Sequence, residues 1–318
     1  MRTCFLGSGE FAVPVAAALA EHPQVELAAI VTAAPKPVGR KRQLRPTPVG
    51  QWAADAGLLT LTPTRLRDPA AQASVAEAAP GLLVLADYGQ IVPAELLALP
   101  VHGALNLHPS LLPRHRGASP VAAAILAGDE ESGVTLMLMD VGLDSGPIVA
   151  QRAVELRGDE TAPELELRLA EVAAGLVAGH LGEWLRGELE ARPQPAAGVT
   201  MTRPLRRADG ALDPQLPAAA LERQVRAYQP WPGSYLQTSE GRVAVWRTRL
   251  AGPAASEPAG AIVVVGGLPT LVTASGLLEL VEVQPAGGRR MGGAELLRGR
   301  PGLIGSRIDR PVGTQPRS

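Results

Sequence analysis

Short, unbroken apolar runs recur through the first half of the chain: RTCFLG from residue 2, VELAAIVT from 25, LLTLT from 58, GLLVLAD from 81, GALNLH from 103 and GVTLMLMD from 133. Runs that are apolar throughout, rather than alternating with polar residues, predict strands covered on both faces. Between them lie segments with apolar residues at helical spacing, such as FAVPVAAALAEH from residue 11. Strands alternating with helices predict an α/β fold, a Rossmann-like, doubly wound and mostly parallel sheet. A long helical pattern over 161–189, TAPELELRLAEVAAGLVAGHLGEWLRGEL, closes this first domain.

After it, Pro193, Pro195, Gly198 and Pro204 mark a linker, in a run that gives no local reason for regular structure. The pattern then changes. One helical stretch, LPAAALERQVRAY, precedes short strands punctuated by glycine: YLQTS, GRVAVWRTRL, GAIVVVGG, LPTLVTAS and GLLELVEVQPA. Such spacing predicts a smaller β-barrel of OB-like type. The expected organisation is a catalytic domain over 1–189, a linker over 190–204, a barrel domain over 205–312 and a tail over 313–318.

Charge changes this picture more than composition does. The chain is nearly neutral, with 30 basic and 31 acidic residues, but up to residue 202 it holds 15 basic against 22 acidic and beyond it 15 against 9. A net charge of -7 followed by one of +6 suggests a module for a polyanion beside a module for something else. Hydrophobic residues at 46% suffice for two cores, and aromatic residues at 3% leave Ala, Val and Leu to fill them. A single cysteine, Cys4, excludes a disulfide framework. With no apolar stretch near the ~20 residues of a membrane span, a soluble cytoplasmic protein is expected.

Candidate chemistry concentrates at the ends of the apolar runs. The turn FLGSGEFA has the position of a ligand loop after the first strand, yet Glu10, Phe11 and Ala12 follow Gly9, so the third glycine of a dinucleotide fingerprint is missing. The segment PKPVGRKRQLRP carries Lys36, Arg40, Lys41, Arg42 and Arg45 with no acidic residue, which suits contact with a phosphate backbone or, more plainly, a solvated loop. In ALNLHPSLLPRHRGASP, Asn106 and His108 lie two residues apart at a strand end, hence on one face. GVTLMLMDVGLDSG supplies Asp140 and Asp144. A carboxylate beside an imidazole makes a proton acceptor, and an amide can hold an oxyanion, which are the needs of acyl or formyl transfer to an amine. Other readings stay open from these residues alone: a core histidine at His108, an Asx turn at Asp144, or zinc on His102, His108 and His115, although no HxxH or CxxC spacing supports a metal site.

Taken together, NLHPSLLPRHRGASP and GVTLMLMDVGLDSG resemble the signature pair of the 10-formyltetrahydrofolate-dependent formyltransferases. The basic loop, YQPWPGSYL and VQPAGGRRM resemble the branch of that family that formylates methionyl-tRNA, over about residues 3–308. The resemblance implies transfer of a formyl group from 10-formyltetrahydrofolate, a consumed cosubstrate, to the α-amino group of methionine on initiator tRNA, without a metal and by a monomer. It implies Asn106, His108 and Asp144 as catalytic residues and Ser110, Leu111, Leu112 and Pro113 as the folate-binding segment. It also implies tRNA contacts from Lys36, Arg40, Lys41, Arg42 and Arg45, with Arg206 and Arg207 standing near Pro204, where the family has a lysine. Gly7-Ser8-Gly9 replaces the family's Gly-Thr-Pro. Rival activities within the resemblance are formylation of an amino sugar nucleotide and hydrolysis of the formyl group; outside it stands a non-catalytic RNA-binding protein.

Overall fold

The computed structural model describes residues 1–39, 42–253 and 256–308. The chain divides into two units. The first comprises Met1–Pro120, Glu131–Glu155 and Leu165–Thr202, and the second comprises Val121–Glu130, Leu156–Glu164 and the chain from Arg203 onward.

The first unit is built on a seven-stranded sheet in the order Ile148–Glu155, Glu131–Leu138, Ala104–His108, Leu82–Ala86, Arg2–Gly7, Glu26–Val31, Thr60–Leu61. The last five of these run parallel. Every residue of Leu82–Ala86 is buried, as its continuous apolar sequence predicts. Cys4, Leu6, Val31, Leu83, Leu85 and Ala104 pack with Val75 and Leu96 into one core on this sheet. Each apolar run named above contains a strand, and the patterns at 11–22 and 161–189 contain helices Ala12–Glu21 and Ala162–Leu185.

Three features differ from the sequence pattern. Strand Glu131–Leu138 runs antiparallel to Ala104–His108, with His108 opposite Thr135 and Leu105 opposite Leu138. Burial on both faces shapes its composition equally in either direction, so direction left no trace. The edge strand Ile148–Glu155 pairs antiparallel with it and has no buried residue, which is why no apolar run announces it. Within the supposed irregular linker, Met201–Thr202 pairs in parallel with Arg116–Gly117, and Arg192 bridges Ile148.

The second unit is an antiparallel sheet in the order Ser234–Thr238, Gly241–Leu250, Leu277–Pro285, Leu268–Val272, Ile262–Val265, with Met291–Gly292 added beside Leu277–Pro285. Its outermost strands both feed one apolar cluster, through Leu236 and Ile262, together with Leu221 and Val225 of helix Ala218–Ala227. A sheet whose two edges share a core is rolled, as in a small barrel.

Candidate active site

Asn106 and His108 end the strand Ala104–His108 on one face, while Leu105 and Leu107 are buried on the other. His108 is only 4% exposed. Its Nε2 lies 3.0 Å from the carbonyl oxygen of His115. A carbonyl oxygen only accepts, so Nε2 carries a hydrogen, and in the neutral ring the lone pair resides on Nδ1. That Nδ1 faces Asp144, 3.7 Å from its Oδ2.

Asp144 reaches this position from the loop after Leu138, with a left-handed backbone at φ +48° that aspartate tolerates better than most residues. Its Oδ2 accepts a 2.8 Å bond from the Gly117 N–H, and its Oδ1 accepts a 3.4 Å bond from Asn106 Nδ2. The three side chains converge on one point. The Asx turn in this loop belongs instead to Asp140, whose Oδ1 accepts from Gly142 N and from the Ser145 hydroxyl, both at 2.9 Å. Burial pulls the His108 pKa below its ordinary value; the Asp144 charge and the bond to the His115 carbonyl oppose that pull, and the His115 ring adds to it. At neutral pH the imidazole is therefore uncharged and able to accept a proton, and its conjugate acid would form beside a carboxylate. Among the described residues no group of three or more His, Cys, Asp or Glu side chains could hold a metal ion, so His102, His108 and His115 do not form one.

The turn Ser110–Pro113 follows directly. Ser110 and Leu112 are buried, Leu111 and Pro113 partly so. The Thr135 hydroxyl donates to the Ser110 carbonyl and its Oγ1 accepts from the Leu112 N–H, while Gln151 Nε2 donates to both the Leu112 carbonyl and Thr135 Oγ1. Thr135 and Gln151, which sequence reasoning passed over, thus hold the turn from within. The first loop is likewise tied down: Ser8 Oγ accepts from Ala33 N at 3.2 Å, and the Ser8 N–H donates to the Asp87 carbonyl. A Cβ at position 9 would lie 1.8 Å from Asp87 Oδ2, so any larger residue there would have to turn that carboxylate aside. Burial raises the pKa of Asp87 and of Glu166, and for Glu166 the negative charges of Asp87 and Glu10 add to the effect.

The basic loop is partly regular. Lys36–Val38 pairs antiparallel with Gln43–Arg45, Lys36 opposite Arg45, and Lys36, Arg42 and Arg45 are exposed. Arg40 and Lys41 lie outside the described residues. In the second unit Arg206 and Arg207 are exposed, and the Arg207 guanidinium stands 5.8 Å from the Trp231 ring. Two further stacks there, Arg290 over Trp246 at 3.4 Å and Arg242 over Tyr235 at 3.9 Å, were not singled out by sequence, because arginine and aromatic meet only across strands.

Comparison with known proteins agrees with both units. Residues 1–178 match the model of the "Formyl transferase" family, and residues 204–301 match that of "Formyl transferase, C-terminal domain". A methionyl-tRNA formyltransferase of Thermus thermophilus is 44% identical over 310 residues, covering 97% of this chain and 99% of the relative. One of Roseiflexus sp. (strain RS-1) is 42% identical over 300 residues, covering 94% and 92%. Among solved structures, the N-formyltransferase of Helicobacter canadensis, in complex with folinic acid and dTDP-3-aminofucose, superposes with a TM-score of 0.65 at 16% identity, covering 88% of this chain and 99% of the other. HypX of Aquifex aeolicus, in complex with tetrahydrofolic acid, gives 0.64 at 16% identity over 100% of this chain and 50% of the other. Structural likeness at such low identity speaks for the fold alone. The family models and the close relatives, spanning nearly the whole sequence, establish more: this chain belongs to the formyl transferase family.

Proposed function

We propose that this protein transfers the formyl group of 10-formyltetrahydrofolate to the α-amino group of methionine esterified to initiator tRNA. The observation that carries the chemistry is the convergence of His108 Nδ1, Asn106 Nδ2 and the Asp144 carboxylate at the end of one strand. The observation that favours this acceptor is the identity with methionyl-tRNA formyltransferases over more than nine-tenths of the chain.

The amine nitrogen attacks the formyl carbon, and the carbonyl oxygen takes up negative charge. Asn106 donates to that oxyanion from the amide hydrogen that Asp144 leaves unused. His108 accepts the proton lost by the amine on Nδ1, the nitrogen freed by the fixed Nε2–H, and Asp144 stabilises the imidazolium so formed. Collapse breaks the bond from the formyl carbon to N10 of the folate. The same proton passes from His108 to N10, so tetrahydrofolate leaves and the enzyme returns to its starting state. Ser110 to Pro113, next to His108, form the folate-binding turn. Its buried backbone groups are already bonded to Thr135 and Gln151, so the turn meets the cosubstrate with a shape set in advance.

Residues 1–189 act as the catalytic module and 205–312 as the RNA-binding module, joined by 190–204. Lys36, Arg42 and Arg45, with Arg40 and Lys41 between them in sequence, meet the acceptor end of the RNA. Arg206, Arg207 and the arginine–aromatic stacks of the second unit meet its backbone and exposed bases. The protein works in the cytoplasm as a monomer; among the described residues no helix is long and apolar enough to cross a membrane.

Offering methionyl initiator tRNA, an amino sugar nucleotide and water as competing acceptors tests this reading. Formylmethionyl-tRNA as the main product is the expected outcome. A formylated sugar or free formate in its place would replace the proposal with one of its rivals.

A further inference from the structure

His108 and Asp144 each make one bond to the same short stretch of backbone. The His115 carbonyl accepts from His108 Nε2, and the Gly117 N–H donates to Asp144 Oδ2. Arg116, between them, turns both its backbone groups the other way, as strand alternation requires. Those groups meet a strap of chain from far along the sequence. Arg116 N donates to the Thr200 carbonyl at 2.9 Å, and Arg116 O accepts from the Thr202 hydroxyl at 3.0 Å.

The strap grips its neighbours through side chains as well. Thr200 Oγ1 accepts from His115 N at 2.8 Å, and Thr202 Oγ1 accepts from Ser119 N at 3.1 Å. Gln194 spans the two sides: its Oε1 accepts from the Arg116 guanidinium at 2.6 Å, and its Nε2 donates to the carbonyls of Asp144 and Gly146, both at 2.8 Å. The fit leaves no slack at Gly117, where φ is +104° and a Cβ would stand 2.4 Å from the Thr202 carbonyl. Only glycine permits this approach.

We propose that Gln194, Thr200 and Thr202 are positioning residues of the reaction, which hold His115–Gly117 from behind and so fix the tautomer of His108 and the direction of the Asp144 carboxylate. Thr200 and Thr202 keep the His115 carbonyl on Nε2, which leaves Nδ1 as the proton acceptor. Gln194 pins the main chain of Asp144 while Gly117 pins its carboxylate. Partners that orient a metal-binding side chain typically change activity by about 10- to 100-fold, and a loss of that order is expected for residues that orient His108 and Asp144. The inference rests on the proposed formyl transfer for its kinetic part and on the hydrogen bonds alone for its tautomer part.

Thr200→Val, Thr202→Val and Gln194→Ala in the full chain test it, with Thr→Ser at 200 and 202 as conservative controls. Two readouts are needed: single-turnover formyl transfer across pH, and the 15N resonances of the His108 ring. The valine variants are expected to lose about 10- to 100-fold in kcat with KM for folate and tRNA nearly unchanged, to shift the acidic limb of the pH profile, and to show a mixed Nδ1–H and Nε2–H signal. Serine restores all three. Gln194→Ala, outside the strand pairing, gives a smaller loss of the same kind and guards against a valine variant that fails to fold. Wild-type tautomer and kcat in all three variants would overturn the inference, as would lost activity with unmoved ring signals and no rescue by serine. If the wild-type chain formylates no tRNA yet the valine variants still mix the tautomers, the positioning role stands and the acceptor assignment falls.

Discussion

Asp144→Asn removes one charge from the centre of the site with little change in shape. The Asp144 carboxylate faces His108 Nδ1 at 3.7 Å, with side-chain exposures of 15% and 5%. At an effective dielectric of about 20, unit charges at that separation attract by roughly 4 kcal/mol, which bounds the stabilisation of the imidazolium. Converted at 1.36 kcal/mol per factor of ten, its loss would lower the His108 pKa and slow proton capture by up to about 10³-fold. The substitution also disturbs the amides. If the new side chain keeps its oxygen on the Gly117 N–H, its NH2 meets the Asn106 NH2 that donates to Oδ1 in the native site, and one amide must turn. The sign of the pH effect follows from the charges. Burial already holds the His108 pKa below 6.5, so in the native enzyme the acidic limb of kcat/KM lies below that value. Losing the carboxylate, which opposes the burial effect, moves the limb further down. Rapid-quench measurement of a single turnover across the acidic range reads both quantities. A variant within tenfold of wild type, with its limb unmoved, would refute the argument that Asp144 acts through its charge on His108.

Other predictions concern stability and the RNA surface. Leu136→Ala, at a site 1% exposed in the sheet, should cost about 2–5 kcal/mol in urea unfolding while leaving KM for both substrates in place. The Cys4 thiol, pushed up to about 11 by burial, should react with thiol reagents only as fast as the protein unfolds; prompt labelling of the native chain would contradict the burial. Neutralising Arg206 and Arg207 together should lower the slope of log affinity for tRNA against log salt by about 2, read by filter binding, with the transfer step unchanged once RNA is saturating.

Much of this site was legible before any coordinates, and the parts that were not share a cause. Asn106 and His108 could be placed on one face because a strand period of two fixes side-chain direction locally. The strand that leads into the Asp144 loop could be recognised, but not its antiparallel course, since a strand buried on both faces looks alike either way. Thr135 and Gln151 carry no motif, and their role comes from meeting the backbone of a turn across two strands. The segment from Gln194 to Thr202 read as an irregular linker because Pro195 and Gly198 interrupt it, with Pro193 and Pro204 on either side, and its two-residue pairing has no pattern of its own. Most telling is the tautomer of His108. It is set by a main-chain carbonyl, that of His115, which has no letter in the sequence.

The central claim is that formyl transfer to methionyl-tRNA runs through His108. Its most direct test follows a labelled formyl group from 10-formyltetrahydrofolate in a single turnover with methionyl initiator tRNA, using the wild-type chain and His108→Ala. The account predicts label on the methionine nitrogen with the native protein, and transfer reduced by about 10²- to 10⁴-fold in the variant, with tRNA affinity nearly unchanged. Label appearing at equal rates with both proteins would contradict it.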